Sequence, residues 1–97
     1  MARHDVYLAD GEYLLDVQSD ILDGLNTRAV VPLMRPARAP KPARRLNPAF
    51  EIDGVRLLMV TQYLSAVPAS ILGAPAANLG EHHGEITEAL DMLFQGF

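Results

Sequence analysis

Residues 6–17 read VYLADGEYLLDV, and this stretch decides the fold class. It sets two apolar runs on either side of Asp10-Gly11, a dipeptide that favours the type I′ turn of a tight β-hairpin. After the turn, the apolar residues of one strand face are Tyr13, Leu15, Val17 and Ile21. The polar residues of the opposite face, which we expect in solvent, are Asp16, Gln18 and Asp20. The stretch predicts a hairpin whose second strand is half buried.

Further strand patterns follow. Residues 29–34 predict a third strand in which Pro32, lacking an N–H donor, should lie at an edge or a bulge. Residues 50–52 and 55–60 flank Asp53-Gly54, a second hairpin signal. Residues 63–73 are ambiguous between a helical turn near Tyr63 and extended chain. The fold class predicted is mainly β (α+β), with one helix packed against an antiparallel sheet.

That helix lies at the end of the chain. Its apolar stripe recurs at helical spacing: Ile86, Ala89, Leu90, Leu93, Phe94 and Phe97. The opposite face is acidic or polar: Glu81, Glu85, Glu88, Asp91 and Gln95. No Lys or Arg lies among these acids, and Met92 falls between them, although a solvated helix face usually mixes charges of both signs. Two interpretations stay open, ordinary surface and a site for a basic, partly apolar partner.

Length and charge bound the class of protein. The chain of 97 residues is of a size for one domain, residues 1–97, with a net charge of −4 and no cysteine. Residues 1–27 carry a net charge of −5, residues 28–56 carry +5, and residues 57–97 carry −4. Neither a secretory leader nor a membrane-spanning run is recognisable, so we expect a cytoplasmic protein without membrane contact.

Catalytic patterns are weak. His82-His83 are adjacent and lack a third ligand in sequence, so no metal site is predicted. Asp16 and Asp20 are expected to be surface charges rather than an acid–base pair. The proline-punctuated loop at residues 35–48 is rich in Arg and could meet solvent, an acidic partner or phosphate. The residues therefore favour a binding protein over an enzyme.

Five segments occur in the order and spacing of a known family: residues 15–23 (LDVQSDILD), 30–33 (VVPL), 46–54 (LNPAFEIDG), 65–73 (SAVPASILG) and 89–97 (ALDMLFQGF). In these segments the chain resembles the CcdB family, the toxins of bacterial toxin–antitoxin pairs. The resemblance implies an SH3-like barrel of the CcdB/MazF type with a C-terminal helix near the two-fold axis of a homodimer. It implies no cofactor, no metal and no catalytic residue.

The same resemblance implies partners and site residues. The toxin would bind the DNA-cleaving subunit of DNA gyrase and poison the cleavage complex. A CcdA-like antitoxin would neutralise it, and the two would repress their operon together, so that DNA is contacted only indirectly. The implied gyrase-binding residues are Ile21 and Leu22 on the second strand, and Asp91, Gln95, Gly96 and Phe97 at the end of the chain. Gln95 stands where the best-known member has Trp, and Asp91 replaces an Asn.

Two alternatives remain open from the sequence. The first is a MazF-like endoribonuclease, for which the strand region offers Arg28 with a nearby Ser or Thr. The second is a non-toxic co-repressor that keeps only antitoxin binding, and Gln95 in place of Trp is its main support.

Overall fold

The computed structural model describes residues 1–96, and in these residues an antiparallel sheet dominates. Its strands are β1 (Asp5–Ala9), β2 (Glu12–Asp16), β3 (Thr27–Met34), β4 (Ala49–Ile52), β5 (Val55–Met59), β6 (Ser65–Pro68) and β7 (Ala77–Asn78). A single α-helix is described, α1 (His83–Gln95). The strand order is β4-β5-β3-β2-β1-β7, and β6 also pairs with β3. The predicted mainly β fold with a C-terminal helix is confirmed.

Both predicted hairpins are present. Asp10 and Gly11 have φ values of 50° and 78°, and Asp53 and Gly54 have 52° and 78°. Positive φ at both central residues is the signature of a type I′ turn, whose twist matches the flanking strands. The two turns therefore join β1 to β2 and β4 to β5 with two-residue loops.

Of the two predicted positions of Pro32, an edge or a bulge, the edge is wrong, because β3 lies inside the sheet. Pro32 faces Leu14 of β2 on one side. On the other side, β3 pairs with β6 over residues 27–30 and with β5 over residues 33–34. The Pro32 carbonyl accepts from the Val60 amide on that second side. The Pro32 nitrogen, which has no N–H, thus lies where the partner of β3 changes from β6 to β5. The strand tolerates a proline at this position.

The second strand ends earlier than predicted. β2 stops at Asp16, and the chain then forms a short 3₁₀ turn at Asp20–Leu22 in which the Ser19 hydroxyl accepts from the Ile21 amide. The prediction that Asp16 and Gln18 face solvent is also wrong, since both are buried. Asp16 pairs with Arg28 of β3. The side chain of Gln18 hydrogen-bonds to the backbone of Ala29 and Leu22.

Residues 63–73, which were ambiguous in sequence, contain both a helical turn and extended chain. A 3₁₀ turn occupies Thr61–Tyr63, β6 follows, and a second 3₁₀ turn occupies Ala69–Ile71. A further 3₁₀ turn at Gly80–His82 leads into α1. No helix in residues 1–96 has the length and hydropathy needed to span a bilayer.

One apolar core joins the sheet to the helix. Its buried members are Val6, Leu15, Val31, Leu33, Phe50, Ile52, Leu57, Met59, Leu79, Ile86 and Ala89. Helix α1 contributes the first half of its predicted stripe, whereas Phe94 remains 67% exposed. Phe97 lies outside the described residues. The apolar face of α1 is therefore covered at its start and open towards its end.

The basic loop is a surface feature. Its cationic side chains are exposed: Arg35, Arg38, Lys41, Arg44 and Arg45. Arg45 reaches the acidic face of α1, where its Nε lies 2.7 Å from Glu88 Oε1. This pair is half exposed, so its contribution to stability is small. The loop thus provides the basic neighbour that the helix sequence lacks.

A pair of histidines joins the start of the chain to the start of α1. The buried His4 ring meets the His83 ring edge-on, with 5.1 Å between centroids. Burial lowers the pKa of His4, the nearby charges of Arg3 and His83 lower it further, and Asp20 opposes them. Because its folded-state pKa lies below 6.5, the unfolded state binds the proton more readily.

Stability is therefore expected to fall as pH decreases through the ordinary pKa of His, about 6.5, and to level off once the pH is below the lowered folded-state pKa. Urea denaturation at a series of pH values measures this slope. His4→Asn should flatten it, and Asn tolerates the left-handed φ of 72° at this position. An unchanged slope in the variant would show that other groups cause the acid sensitivity.

Candidate partner-binding surface

The segment of residues 19–26, named here the apolar turn, exposes large apolar side chains. Ile21 is 92% exposed, Leu22 48% and Leu25 51%. The Ser19 cap starts the turn, and the Leu25 amide continues it by donating to the Leu22 carbonyl. Three exposed apolar side chains within five residues make this turn a candidate interaction site. The predicted placement of Ile21 and Leu22 on the second strand is wrong, since both lie on an exposed 3₁₀ turn.

Leu25 was not predicted from the sequence as part of this surface. It follows Leu22 by three residues, which is the spacing that places side chains on one side of a 3₁₀ turn. Gly24 and Asn26 flank it and make the segment resemble an ordinary loop. The signal that could have indicated Leu25 was a large apolar residue within a short loop of polar residues and glycine.

The second group of predicted residues lies at the end of α1. Asp91 is partly buried, and Gln95 and Gly96 are exposed. Gly96 ends the helix in the left-handed conformation, with φ of 80° and its amide donating to the Met92 carbonyl. Phe97 lies outside the described residues. The exposed Phe94 adds an aromatic ring to this end, named here the helix end.

The apolar turn and the helix end are separate elements of one chain. The Asp20 carboxylate accepts from the Arg3 amide, and the neighbouring His4 ring packs against His83, so the turn is linked to the beginning of α1. The helix rises about 1.5 Å per residue, which puts Gln95 about 18 Å from His83. In residues 1–96 no hydrogen bond or ion pair joins the two groups.

Beneath the apolar turn lies a buried ion pair. Arg28 Nε and Nη2 lie 2.8 Å and 2.6 Å from Asp16 Oδ2, and neither side chain is exposed. Arg28 Nη1 also donates to Asp23 Oδ1 at 3.1 Å. The other oxygen of Asp16 accepts from the Gln18 amide at 3.0 Å. The guanidinium is thus held between two carboxylates on the side of the apolar turn.

The pKa of Asp16 reflects this setting. Burial raises the pKa above its ordinary value, and the hydrogen bonds from the Gln18 amide and Arg28 offset part of the rise. Burial likewise raises the pKa of Tyr7, with Asp5 adding to the effect. Desolvation of Asp16 therefore outweighs its pairing with Arg28, a common balance for buried ion pairs.

The predicted alternative role of Arg28 in RNA cleavage does not match this geometry. A cation that stabilises a phosphate must reach it directly. The Arg28 guanidinium is instead fully buried and occupied by Asp16 and Asp23. The sequence indicated the residue but not its partners.

The histidines of the helix start are engaged in local contacts. His82 packs against the Phe50 ring and lies 3.2 Å from Glu85. His83 meets His4. No cluster of three or more His, Cys, Asp or Glu suited to a metal ion occurs among residues 1–96.

A shallow groove of about 290 Å³ lies beside the first hairpin. Its lining includes the apolar Tyr13, Pro32 and Met34 and the basic Arg35 and Arg38. None of the predicted gyrase-binding residues in the described part of the chain lines it. The candidate surface is therefore the apolar turn and the helix end rather than this groove.

Comparison with known proteins shows the family of the chain. The model of the family described as "CcdB protein" matches residues 3–96. The chain belongs to the CcdB family. Toxins of toxin–antitoxin systems make up this family, so an antitoxin is an expected partner of the chain.

A solved structure of similar shape is an "Endoribonuclease from Mycobacterial species". It superposes with a TM-score of 0.79 at 14% identity, covering 97% of this chain and 90% of that chain. At such low identity the likeness concerns the fold alone. The predicted SH3-like barrel of the CcdB/MazF type is confirmed.

Proposed function

We propose that this CcdB-family toxin binds the DNA-cleaving subunit of DNA gyrase and traps it on cleaved DNA without catalysing a reaction. It acts as a homodimer, is neutralised by a CcdA-like antitoxin, and represses its operon together with that antitoxin. The observation that carries the proposal is the apolar turn, in which Ile21 is almost fully exposed. An exposed apolar side chain at the predicted contact position suits a protein interface.

Dimerisation explains the uncovered half of α1. The Phe94 ring and the half-buried Leu93 leave an apolar strip at the helix end that a second copy would cover. Two copies related by a two-fold axis present the same patch to each other. Two helix ends and two apolar turns would then face gyrase as one symmetric surface.

The contact at the helix end would differ from that of the best-known member. Gln95 replaces a Trp and cannot offer an aromatic face to an arginine of gyrase, a contact worth roughly 0.5–2 kcal/mol per ring. Asp91 replaces an Asn and adds a carboxylate that attracts the same arginine. We expect a gyrase complex that is weaker than that member's and more sensitive to salt.

The buried position of Arg28 supports binding over RNA cleavage. The one strand-region cation considered for phosphate contact serves an internal ion pair. The fold shared with an endoribonuclease does not carry that activity to this chain, because one fold hosts different functions.

A cleavage assay with the purified protein, without antitoxin and with gyrase of the same host, tests the proposal. Linear DNA should accumulate, and a variant lacking Gln95-Gly96-Phe97 should produce at least tenfold less. Size-exclusion chromatography of both proteins shows whether the deletion acts on contact or on dimerisation.

An absence of linear DNA, with supercoiling unaffected, would contradict the gyrase proposal. Harmless expression together with antitoxin binding would then favour the co-repressor. Cleavage of RNA that Arg28→Ala abolishes would instead favour the endoribonuclease.

A further inference from the structure

We propose that Gln18, Arg28 and Asp23 are positioning residues that hold the apolar turn in its binding conformation. The role of the turn in binding rests on the proposed function. The hydrogen bonds that fix the turn are present in this chain by itself, whether or not it binds gyrase.

Two side-chain hydrogen bonds, named here the tethers, connect the turn to buried residues of the protein. Gln18 Nε2 donates to the Leu22 carbonyl at 2.9 Å, and Arg28 Nη1 donates to Asp23 Oδ1 at 3.1 Å. They fix two consecutive residues directly after Ile21. The exposed side chains are therefore attached to a backbone that is held from inside the protein.

Both tethers are anchored in the sheet. Gln18 Oε1 accepts from the Ala29 amide at 3.0 Å, so its amide group bridges β3 and the turn. Arg28 is immobilised by Asp16 and is fully buried. A buried side chain with a fixed conformation restricts the position of the residue to which it hydrogen-bonds.

The turn benefits from such support because its side chains are largely or half exposed and contribute little hydrophobic packing. None of the residues Asp20–Leu22 is buried, and Gly24 is a residue type that restricts the backbone least. Ordering one backbone residue costs about 1–2 kcal/mol. A turn that is ordered before binding spares that cost at the moment of association.

Asp23 allows the hold to be loosened without unfolding the protein. Its side chain is half exposed, so the pair with Arg28 adds little to global stability. Its removal leaves the pair of Arg28 with Asp16 in place. Asp23→Asn keeps an oxygen that can accept from Arg28, whereas Asp23→Ala does not.

The test compares the wild type, Asp23→Ala, Asp23→Asn and the control Glu12→Ala, an exposed acid at the start of β2. Backbone order parameters of residues 21–25 are measured by ¹⁵N relaxation, and affinity for the DNA-cleaving subunit of gyrase by calorimetry. Asp23→Ala should lower the order parameters from rigid values near 0.85 to below about 0.6. It should weaken binding about tenfold while the melting temperature stays within a few degrees. Asp23→Asn should restore most of both, and Glu12→Ala should match the wild type.

Unchanged order parameters in Asp23→Ala would overturn the inference, and so would lost order without lost affinity. Equal loss of affinity in Asp23→Asn and Asp23→Ala, with order preserved in Asn, would assign Asp23 a direct charge contact instead. If the wild type itself fails to bind gyrase, the proposed function falls with the binding role. The relaxation data then still decide whether the tethers hold the turn.

Discussion

Asp16→Asn is expected to lower the free energy of unfolding by about 3–5 kcal/mol, the cost of leaving a buried charge without its partner. Asn has nearly the same shape as Asp, so packing is preserved and the change is in charge. The Arg28 guanidinium would keep only the half-exposed Asp23 as a counter-ion. Urea denaturation measures the effect as a lower midpoint with an unchanged slope.

The matched control is Asp23→Asn, which removes the exposed carboxylate of the same guanidinium and should cost less than about 1 kcal/mol. A double replacement, Asp16→Leu with Arg28→Met, should recover much of the loss. Burial outweighs pairing at Asp16, and apolar pairs of similar volume often replace buried ion pairs without penalty. A cost below about 1 kcal/mol for Asp16→Asn would mean that water solvates Arg28 or that a shifted carboxylate pairs with it.

Ile21→Glu is expected to weaken binding to the DNA-cleaving subunit of gyrase by a factor of about 100 or more, without changing stability by more than about 0.5 kcal/mol. Full burial of an Ile side chain contributes about 1.5–3 kcal/mol, and a carboxylate forced into the same apolar contact adds a desolvation penalty. Because Ile21 is 92% exposed, the fold itself loses almost nothing. Calorimetric titration measures the affinity, and survival of expressing cells measures toxicity.

Leu8→Glu serves as the control, since Leu8 is another exposed apolar residue but lies on β1 outside the candidate surface. It should bind gyrase as the wild type does. If Ile21→Glu binds normally, the apolar turn is not the contact, and the two helix ends would have to supply the affinity alone.

The hairpins could be predicted from the sequence because their information is local. An Asp-Gly pair with apolar flanks determines the turn, and both pairs adopt the expected positive φ values. The end of β2 could not be predicted in this way. Apolar residues continue at odd positions through Val17 and Ile21, although the chain has already left the sheet at Asp16.

The buried polar residues were mispredicted for a related reason. Asp16 lies in the interior because a guanidinium on another strand, twelve residues away, meets it there. Only the folded register brings the two together, so periodicity alone assigns Asp16 to the surface. Ile21 and Leu22 came from the family resemblance, whereas Leu25 and the tethers of the apolar turn needed the three-dimensional structure.

Pro32 is expected to disfavour shifted registers of the strands beside β3. A strand that slips by one residue exchanges its buried face for its exposed face. If β5 or β6 shifted so that one of its carbonyls faced the Pro32 nitrogen, that carbonyl would find no amide donor. An unsatisfied buried carbonyl costs about 1–3 kcal/mol. In the native pairing the Val60 amide, directly after β5, donates to the Pro32 carbonyl, and β6 pairs only with residues 27–30, short of Pro32. A residue that forms fewer hydrogen bonds than its neighbours thus helps select one alignment of β5 and β6.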